Sequence, residues 1–87
     1  MQIRRSSQFD NQYGELSRYE QKQVDATLEL FAENPFDPSL DNHALTKRMT
    51  GLRSIKAAVD LCLIFSLKGD YVEILFLAVG KHSEVYF

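Results

Sequence analysis

The chain contains two histidines, His43 and His82, and both lie in its C-terminal half. Imidazole side chains ordinarily titrate at about pH 6.5, so they can take up and release protons at neutral pH. Metal-free cleavage of RNA needs such groups, because a base removes the 2′-hydroxyl proton and an acid protonates the leaving 5′-oxygen. The two histidines can fill these roles if the fold brings them together. The plainer alternative for His43 is a hydrogen bond to the backbone of its own loop.

Other residues can complete this chemistry. A cation must stabilise the anionic phosphorane, and Arg53 and Lys56 are the available candidates. The Asp60 carboxylate can orient a histidine or hold it protonated, and Tyr86 or Phe87 can stack on an unpaired base. Each has a plainer interpretation: the cations as solubilising charges on an edge strand, Asp60 as a turn residue, and the aromatic pair as core.

The charges are distributed unevenly along the chain. The net charge of −2 and a pI of about 5.6 argue against a general nucleic-acid binder. Residues 1–42 carry a net charge of −4, whereas residues 43–87 carry +2, and Lys47 and Arg48 belong to the basic part. An anionic ligand such as RNA is therefore expected to approach the C-terminal half, unless both halves are simply solvated surfaces.

Length and composition limit the class of protein. A chain of 87 residues is expected to form one domain, 1–87, with a single core. No apolar run reaches the roughly 18 residues of a membrane span, so no membrane partner is expected. One cysteine excludes an internal disulfide and makes a cytoplasmic location the default. Two histidines and one cysteine show no known metal-ligand spacing, and we expect neither a metal nor another cofactor.

Three apolar runs in the C-terminal half predict a sheet. The segments 53–59, 61–65 and 74–79 are short, bounded and rich in β-branched or aromatic residues. The last two are apolar almost throughout, which predicts central strands and a buried, inert Cys62. Gly69 is expected to provide the turn between them, so the strands form an antiparallel meander. Residues 2–5 are a candidate for a short additional strand at the sheet edge.

The N-terminal half predicts two helices that cover this sheet. Ser7 with Asp10 fits an N-cap, and Ser17 with Glu20 fits a capping box. Apolar residues at helical spacing follow both caps and are expected to be core. Asn34 precedes a proline, so the second helix should end there. The expected fold class is α+β, with two N-terminal helices packed on a small, mainly antiparallel sheet.

The order of these features resembles the RelE/ParE toxin superfamily, and in particular its RelE/YafQ branch. The resemblance spans nearly the whole chain. It comprises the paired helices, Asn34-Pro35, HAL at 43–45, GLRSI at 51–55, DLCLIF at 60–65 and VGKHSEVY at 79–86. It implies a RelE-like toxin of a type II toxin–antitoxin system that enters the ribosome and cuts mRNA. It also implies a cognate antitoxin that wraps the toxin in a hetero-oligomer and blocks it.

The resemblance implies roles for individual residues. His43 matches the histidine of the family's H-x-L segment, and His82 matches the C-terminal histidine, which RelE itself replaces with arginine. Asp60 matches the acidic residue that opens the next strand, Tyr86 matches the terminal aromatic residue, and Lys56 lies where the YafQ branch has another histidine.

Two positions depart from the family pattern. Cys62 and Ala78 stand where RelE-type and YafQ-type toxins, respectively, have an arginine. Either Arg53 or Lys56 then supplies the missing charge, or cleavage is weak or lost. Two alternatives therefore stay open: a catalytically decayed toxin that only binds its antitoxin, and a ParE-type inhibitor of DNA gyrase, which has the same fold and needs no histidine.

Overall fold

A computed structural model describes residues 1–85 of the chain. Within this range, the helices are α1 (Ser7–Glu15), α2 (Arg18–Glu33) and α3 (His82–Val85), and the strands are β1 (Gln2–Arg5), β2 (His43–Ala44), β3 (Arg53–Ala58), β4 (Leu61–Lys68) and β5 (Glu73–Gly80). They form one sheet in the order β1-β5-β4-β3-β2, in which β1 is parallel to β5 and the other neighbours are antiparallel. The predicted α+β class and the edge strand at residues 2–5 are confirmed.

The main core lies between the sheet and the two N-terminal helices. Phe9 of α1, Phe31 of α2, Phe65 of β4 and Phe76 of β5 are fully buried. The Phe31 ring meets the Phe65 and Phe76 rings edge to face, with centroids 5.1 and 5.3 Å apart. Each buried phenylalanine contributes about 1.5–3 kcal/mol relative to an exposed one, so this cluster is the main source of stability.

A smaller apolar cluster covers part of the opposite sheet face. Its buried members are Ile64, Ala78 and Val85, and the half-buried side chains around it are Leu45, Met49, Leu52 and Cys62. The two central strands are thus covered on both faces, as their unbroken apolar runs predicted. The expectation that Cys62 is buried was wrong: its side chain lies at the margin of this cluster and is only partly buried.

The cap of α1 differs from the sequence prediction. Ser6, not Ser7, is the N-cap, and its Oγ accepts a hydrogen bond from the Phe9 N–H at 3.0 Å. The same hydroxyl donates to the Leu77 carbonyl at 3.0 Å, where β5 extends past its pairing with β1. A sheet contact therefore selects between two adjacent serines, and Ser7 becomes the exposed first residue of the helix.

The cap of α2 follows the prediction. The Ser17 Oγ accepts from the Glu20 N–H at 3.1 Å, and the Glu20 carboxylate accepts from the Ser17 N–H at 2.9 Å. The bond from the Ser17 backbone lowers the pKa of the Glu20 carboxyl from its usual 4.5. The helix ends at Glu33, directly before Asn34-Pro35.

The loop between β4 and β5 is more strained than one glycine implies. Gly69, Asp70 and Tyr71 all have positive φ, at 63°, 56° and 73°. A bulky residue such as Tyr71 adopts this conformation only when its surroundings hold it there. Its ring packs against Phe31 and Phe36, with centroids 6.3 and 4.9 Å apart, and these contacts offset the strain.

Within residues 1–85, no helix has the length and apolar content needed to cross a membrane.

The two adjacent serines give a matched test of the α1 cap. Ser6→Ala removes the cap and the bond to the Leu77 carbonyl, so it should lower the free energy of unfolding by about 2 kcal/mol. Ser7→Ala should change it by less than about 0.5 kcal/mol, because Ser7 is not the capping residue. Urea denaturation of the two variants measures both values. An equal loss in both would contradict the assignment of Ser6 as the cap.

The capping box should make stability depend on pH. The Glu20 pKa is lowered in the folded state, so its contribution is complete above the usual value of 4.5 and is lost as the pH falls through the lowered value. The stability difference between the parent and Glu20→Gln should therefore be larger at pH 7 than at about pH 3. Glu29→Gln is the control, since Glu29 lies on the same helix outside the capping box. A Glu20→Gln difference that stays constant in urea denaturation at both pH values would refute this account.

Candidate functional site

A groove of about 380 Å³ lies on the sheet side facing away from α1 and α2, where β2, β3 and β4 approach α3. Both histidines and one predicted cation line it. The described residues along its walls are Asp41, His43, Leu45, Ser54, Ile55, Lys56, Val59, Cys62 and His82. The structure thus brings His43 and His82 to one open concave surface, although they lie at opposite ends of the C-terminal half.

Strand pairing explains this convergence. His43 of β2 pairs with Ser54 of β3, and two residues further along β3 Lys56 pairs with Cys62 of β4. Cys62 in turn pairs with Gly80 of β5, which is two residues before His82. Neighbouring strands lie about 4.8 Å apart, so three short steps across the sheet connect the two histidine segments.

His43 is exposed and is oriented by the residue two positions before it. Its Nδ1 lies 2.7 Å from the backbone oxygen of Asp41 and 3.9 Å from a carboxylate oxygen of the same residue. Asp41 has φ 48° and ψ 48°, a left-handed conformation that Asp and Asn adopt more readily than most residues. The bond follows the plainer alternative predicted for His43, a hydrogen bond to the backbone of its own loop, although Asp41 was not singled out as the partner.

His82 is the first residue of α3 and is also exposed. Its backbone N–H points toward the Asp60 carboxylate, at a long distance of 3.4 Å. The preceding Lys81 N–H donates to the Glu84 Oε1 at 2.8 Å. Asp60 thus lies beside the main chain of His82 in the turn between β3 and β4, and Glu84 is a second carboxylate at this helix start that the sequence analysis did not single out.

The two candidate cations lie on different sides of the sheet. Lys56 is exposed and lines the groove. Arg53 pairs with Phe65, whose side chain lies in the main core, and its Nε donates to the Asn42 Oδ1 at 2.9 Å. Arg53 lines a different hollow, and the structure does not bring it into the groove. Side chains alternate along a strand, so positions three apart must point to opposite faces.

The predicted RNA-binding residues lie outside the groove or beyond the described part of the chain. Lys47 and Arg48 are exposed on a 3-10 turn, Lys47–Met49, in the segment between β2 and β3. That segment also supplies Leu45 to the groove wall. Tyr86 and Phe87 lie outside the described residues. Within residues 1–85, no three His, Cys, Asp or Glu side chains cluster as metal ligands would.

Solved structures with a similar fold include YafQ and a YoeB/ParE toxin. YafQ from E. coli has a TM-score of 0.82 at 19% sequence identity, and the match covers 98% of this chain and 97% of that chain. The YoeB/ParE toxin from Agrobacterium tumefaciens gives 0.76 at 12% identity, covering 94% and 99%. A chain of the E. coli DinJ–YafQ complex gives 0.70 at 21% identity, covering 98% and 97%. The fold is therefore that of the YafQ and YoeB/ParE toxins.

The sequence identifies the family within this fold. The family model for YafQ, described as a bacterial toxin of type II toxin–antitoxin system, matches residues 1–86. The chain belongs to this toxin family, as its ordered motifs indicated. Among curated proteins, no sequence matches the chain.

Gly80 controls how closely α3 approaches the sheet, and so where His82 lies. A Cβ on Gly80 would lie 3.0 Å from the Glu84 Oε1 and 3.4 Å from a Val85 methyl group. Gly80→Ala should therefore break the Glu84–Lys81 bond and shift the His82 amide resonance in a ¹⁵N–¹H spectrum.

The matched control is Gly14→Ala in α1, where the added Cβ meets nothing within 4 Å. It should leave the His82 resonance unchanged and stabilise the protein by about 0.5–1 kcal/mol in urea denaturation. An unchanged His82 resonance in Gly80→Ala would show that this glycine does not position α3.

Proposed function

We propose that this toxin is an endoribonuclease that cuts mRNA on the ribosome through general acid–base chemistry. One observation carries the proposal: His43, His82 and Lys56 line the same open groove. Two groups that exchange protons near neutral pH and one cation are the minimum set for metal-free RNA cleavage. The groove needs no cofactor for this reaction.

The reaction uses these three groups in the following way. One imidazole takes the proton from the 2′-hydroxyl, and the 2′-oxygen attacks the phosphorus. The bond from phosphorus to the 5′-oxygen then breaks, and the other imidazole donates its proton to that oxygen. The products are a 2′,3′-cyclic phosphate and a 5′-hydroxyl end. Lys56 stabilises the extra negative charge on the phosphorane between the two steps.

Lys56 is the weakest part of this set, because it has to act alone. Among the described residues that line the groove, Lys56 is the one lysine or arginine. Ala78 and Cys62, where related toxins have arginine, instead belong to the small apolar cluster at the floor of this face. This supports a second candidate, a toxin with weak or lost cleavage that still binds its antitoxin.

The surroundings of the groove favour a substrate that another body holds in place. The described groove walls contain no Phe, Tyr or Trp side chain on which a base can stack. Residues 1–42 carry a net charge of −4, which repels free RNA from the helical side. A ribosome that presents mRNA to the exposed Lys47, Arg48 and Lys56 would overcome both the missing stacking platform and the repulsion of free RNA. Action on the ribosome also implies a cytoplasmic location for the toxin.

The second proposed partner is a cognate antitoxin. A solved relative is the YafQ of E. coli in complex with DinJ. Strands β1 and β2 are the two edges of the sheet, and the groove lies next to β2. Exposed edges pair with added strands, and an acidic segment complements Lys56. An antitoxin of that chemistry would cover the groove and block cleavage.

Substitutions in the groove test the nuclease proposal. His43→Ala and His82→Ala should each lower mRNA cleavage by about 100-fold or more, since one proton-transfer group is lost. Lys56→Ala should also lower cleavage, and Lys56→Arg should keep it. Primer extension on mRNA from a bacterial translation extract measures the cuts. Lys68→Ala is the control, because Lys68 is exposed at the end of β4 away from the groove.

The outcomes separate the competing functions. Full cleavage by His82→Ala would remove that residue from the site. If the parent protein leaves mRNA intact but still binds an antitoxin, the result would favour the catalytically decayed toxin. Intact mRNA with arrested DNA replication would instead favour inhibition of gyrase.

A further inference from the structure

Asn42 lies at the centre of a hydrogen-bond network behind the groove. Its Nδ2 donates to the Pro35 carbonyl at 2.8 Å and to the Tyr71 hydroxyl at 3.1 Å. Its Oδ1 accepts from the Arg53 Nε at 2.9 Å. A carbonyl can only accept and an arginine Nε can only donate, so these partners fix which way the amide points. Asn42 thereby ties the connector after α2 to β3 and to the β4–β5 loop.

Asn42 lies in the chain between His43 and Asp41, the residue that orients the His43 ring. Asp41 precedes Asn42 in a left-handed conformation, and its carbonyl faces the His43 Nδ1 at 2.7 Å. Because that carbonyl can only accept, Nδ1 carries the hydrogen. In the neutral ring, the lone pair is then on Nε2. Rotation of the peptide between Asp41 and Asn42 would break the contact and free both tautomers.

We propose that Asn42 and Arg53 are positioning residues for His43. They hold the turn at Asp41 so that Nδ1 stays bound to its carbonyl and Nε2 is the atom that exchanges protons in the groove. The catalytic consequence rests on the proposed nuclease function, whereas the tautomer of the ring does not. This changes the expected role of Arg53, which acts through Asn42 from the other side of the sheet instead of touching the phosphate.

The contacts support an indirect role for Arg53. Its neighbour Ser54 pairs with His43, and Arg53 itself pairs with Ala44, so the backbone of β3 already fixes the main chain of β2. The Arg53 side chain adds a bond to the residue immediately before β2. Arg53 therefore holds both neighbours of His43 in the chain. Its main chain pairs with Ala44, and its side chain bonds Asn42. Arg53 is not among the described residues that line the groove, so it can influence the site only through these contacts.

The experiment measures the tautomer directly. Protein labelled with ¹⁵N-histidine is studied by NMR at about pH 8.5, where imidazole side chains are ordinarily neutral. In the parent, His43 should show a protonated Nδ1 and a bare Nε2. In Asn42→Ala and in Arg53→Ala, the two nitrogen shifts should move toward each other as the second tautomer becomes populated. His43 is assigned by comparison with His43→Ala.

Two further variants keep the test decisive. If Asn42→Ala does not fold, Asn42→Asp takes its place. It retains the acceptor for Arg53 and loses the donor to Pro35 and Tyr71, so the two His43 nitrogen shifts should still move toward each other, but by a smaller amount. Asn34→Ala is the matched control, because the Asn34 Oδ1 accepts from the Phe36 N–H in the same connector. It should leave both His43 shifts unchanged.

Cleavage assays provide the second measurement. The Asn42 and Arg53 variants should lower kcat by roughly 10- to 100-fold with little change in KM, because the ring is misdirected while the groove stays open. Unchanged His43 shifts in a folded Asn42 variant, or a parent ring protonated on Nε2, would overturn the proposal. If the shifts change as expected and the parent cuts no RNA, the positioning role is supported and the nuclease function is refuted.

Discussion

The pairing register of β3 is the constraint on which the rest of the site depends. Pairing of Lys56 with Cys62 directs Lys56 to the open face, and pairing of Arg53 with Phe65 directs Arg53 to the helical face. The large aromatic cluster holds this register, because a slip by one residue would expose Ile55 and bury Lys56. The core against α1 and α2 thus determines which cation faces the groove, although no core residue other than Ile55 lines it.

Much of the fold was predictable because its signals are local and strong. The apolar runs of β4 and β5, the capping box at Ser17 and the stop at Asn34-Pro35 each act over a few residues. The prediction failed where tertiary contacts decide between two residues that have the same local preference. Ser6 and Ser7 are adjacent and of the same type, and bonds from the Ser6 hydroxyl to the Leu77 carbonyl and from the Ser6 N–H to the Phe76 carbonyl distinguish them. The exposure of Cys62 likewise depends on how far the small second cluster extends.

For the candidate site, the sequence indicated candidate residues more readily than their arrangement. His43, His82 and Lys56 were identified from residue type and resemblance, and the groove contains all three. Arg53 was grouped with Lys56, although alternation along one strand already places residues three apart on opposite faces. The bond of His43 to its loop backbone was predictable, but Asp41 as its partner was not, because an aspartate tolerates a positive φ without requiring one.

The division between the two sheet faces also separates the main core from the proposed catalytic residues. The helical face holds the four buried phenylalanines, whereas His43, Lys56 and His82 are all exposed. Replacing any of these three removes little apolar contact, so loss of activity need not follow from loss of the fold. Arg53 and Asn42 are the exception, since they are half-buried and connect β2, β3 and the β4–β5 loop. For these two residues, activity alone cannot separate positioning from folding, and the tautomer of the neutral His43 ring is the observable that does.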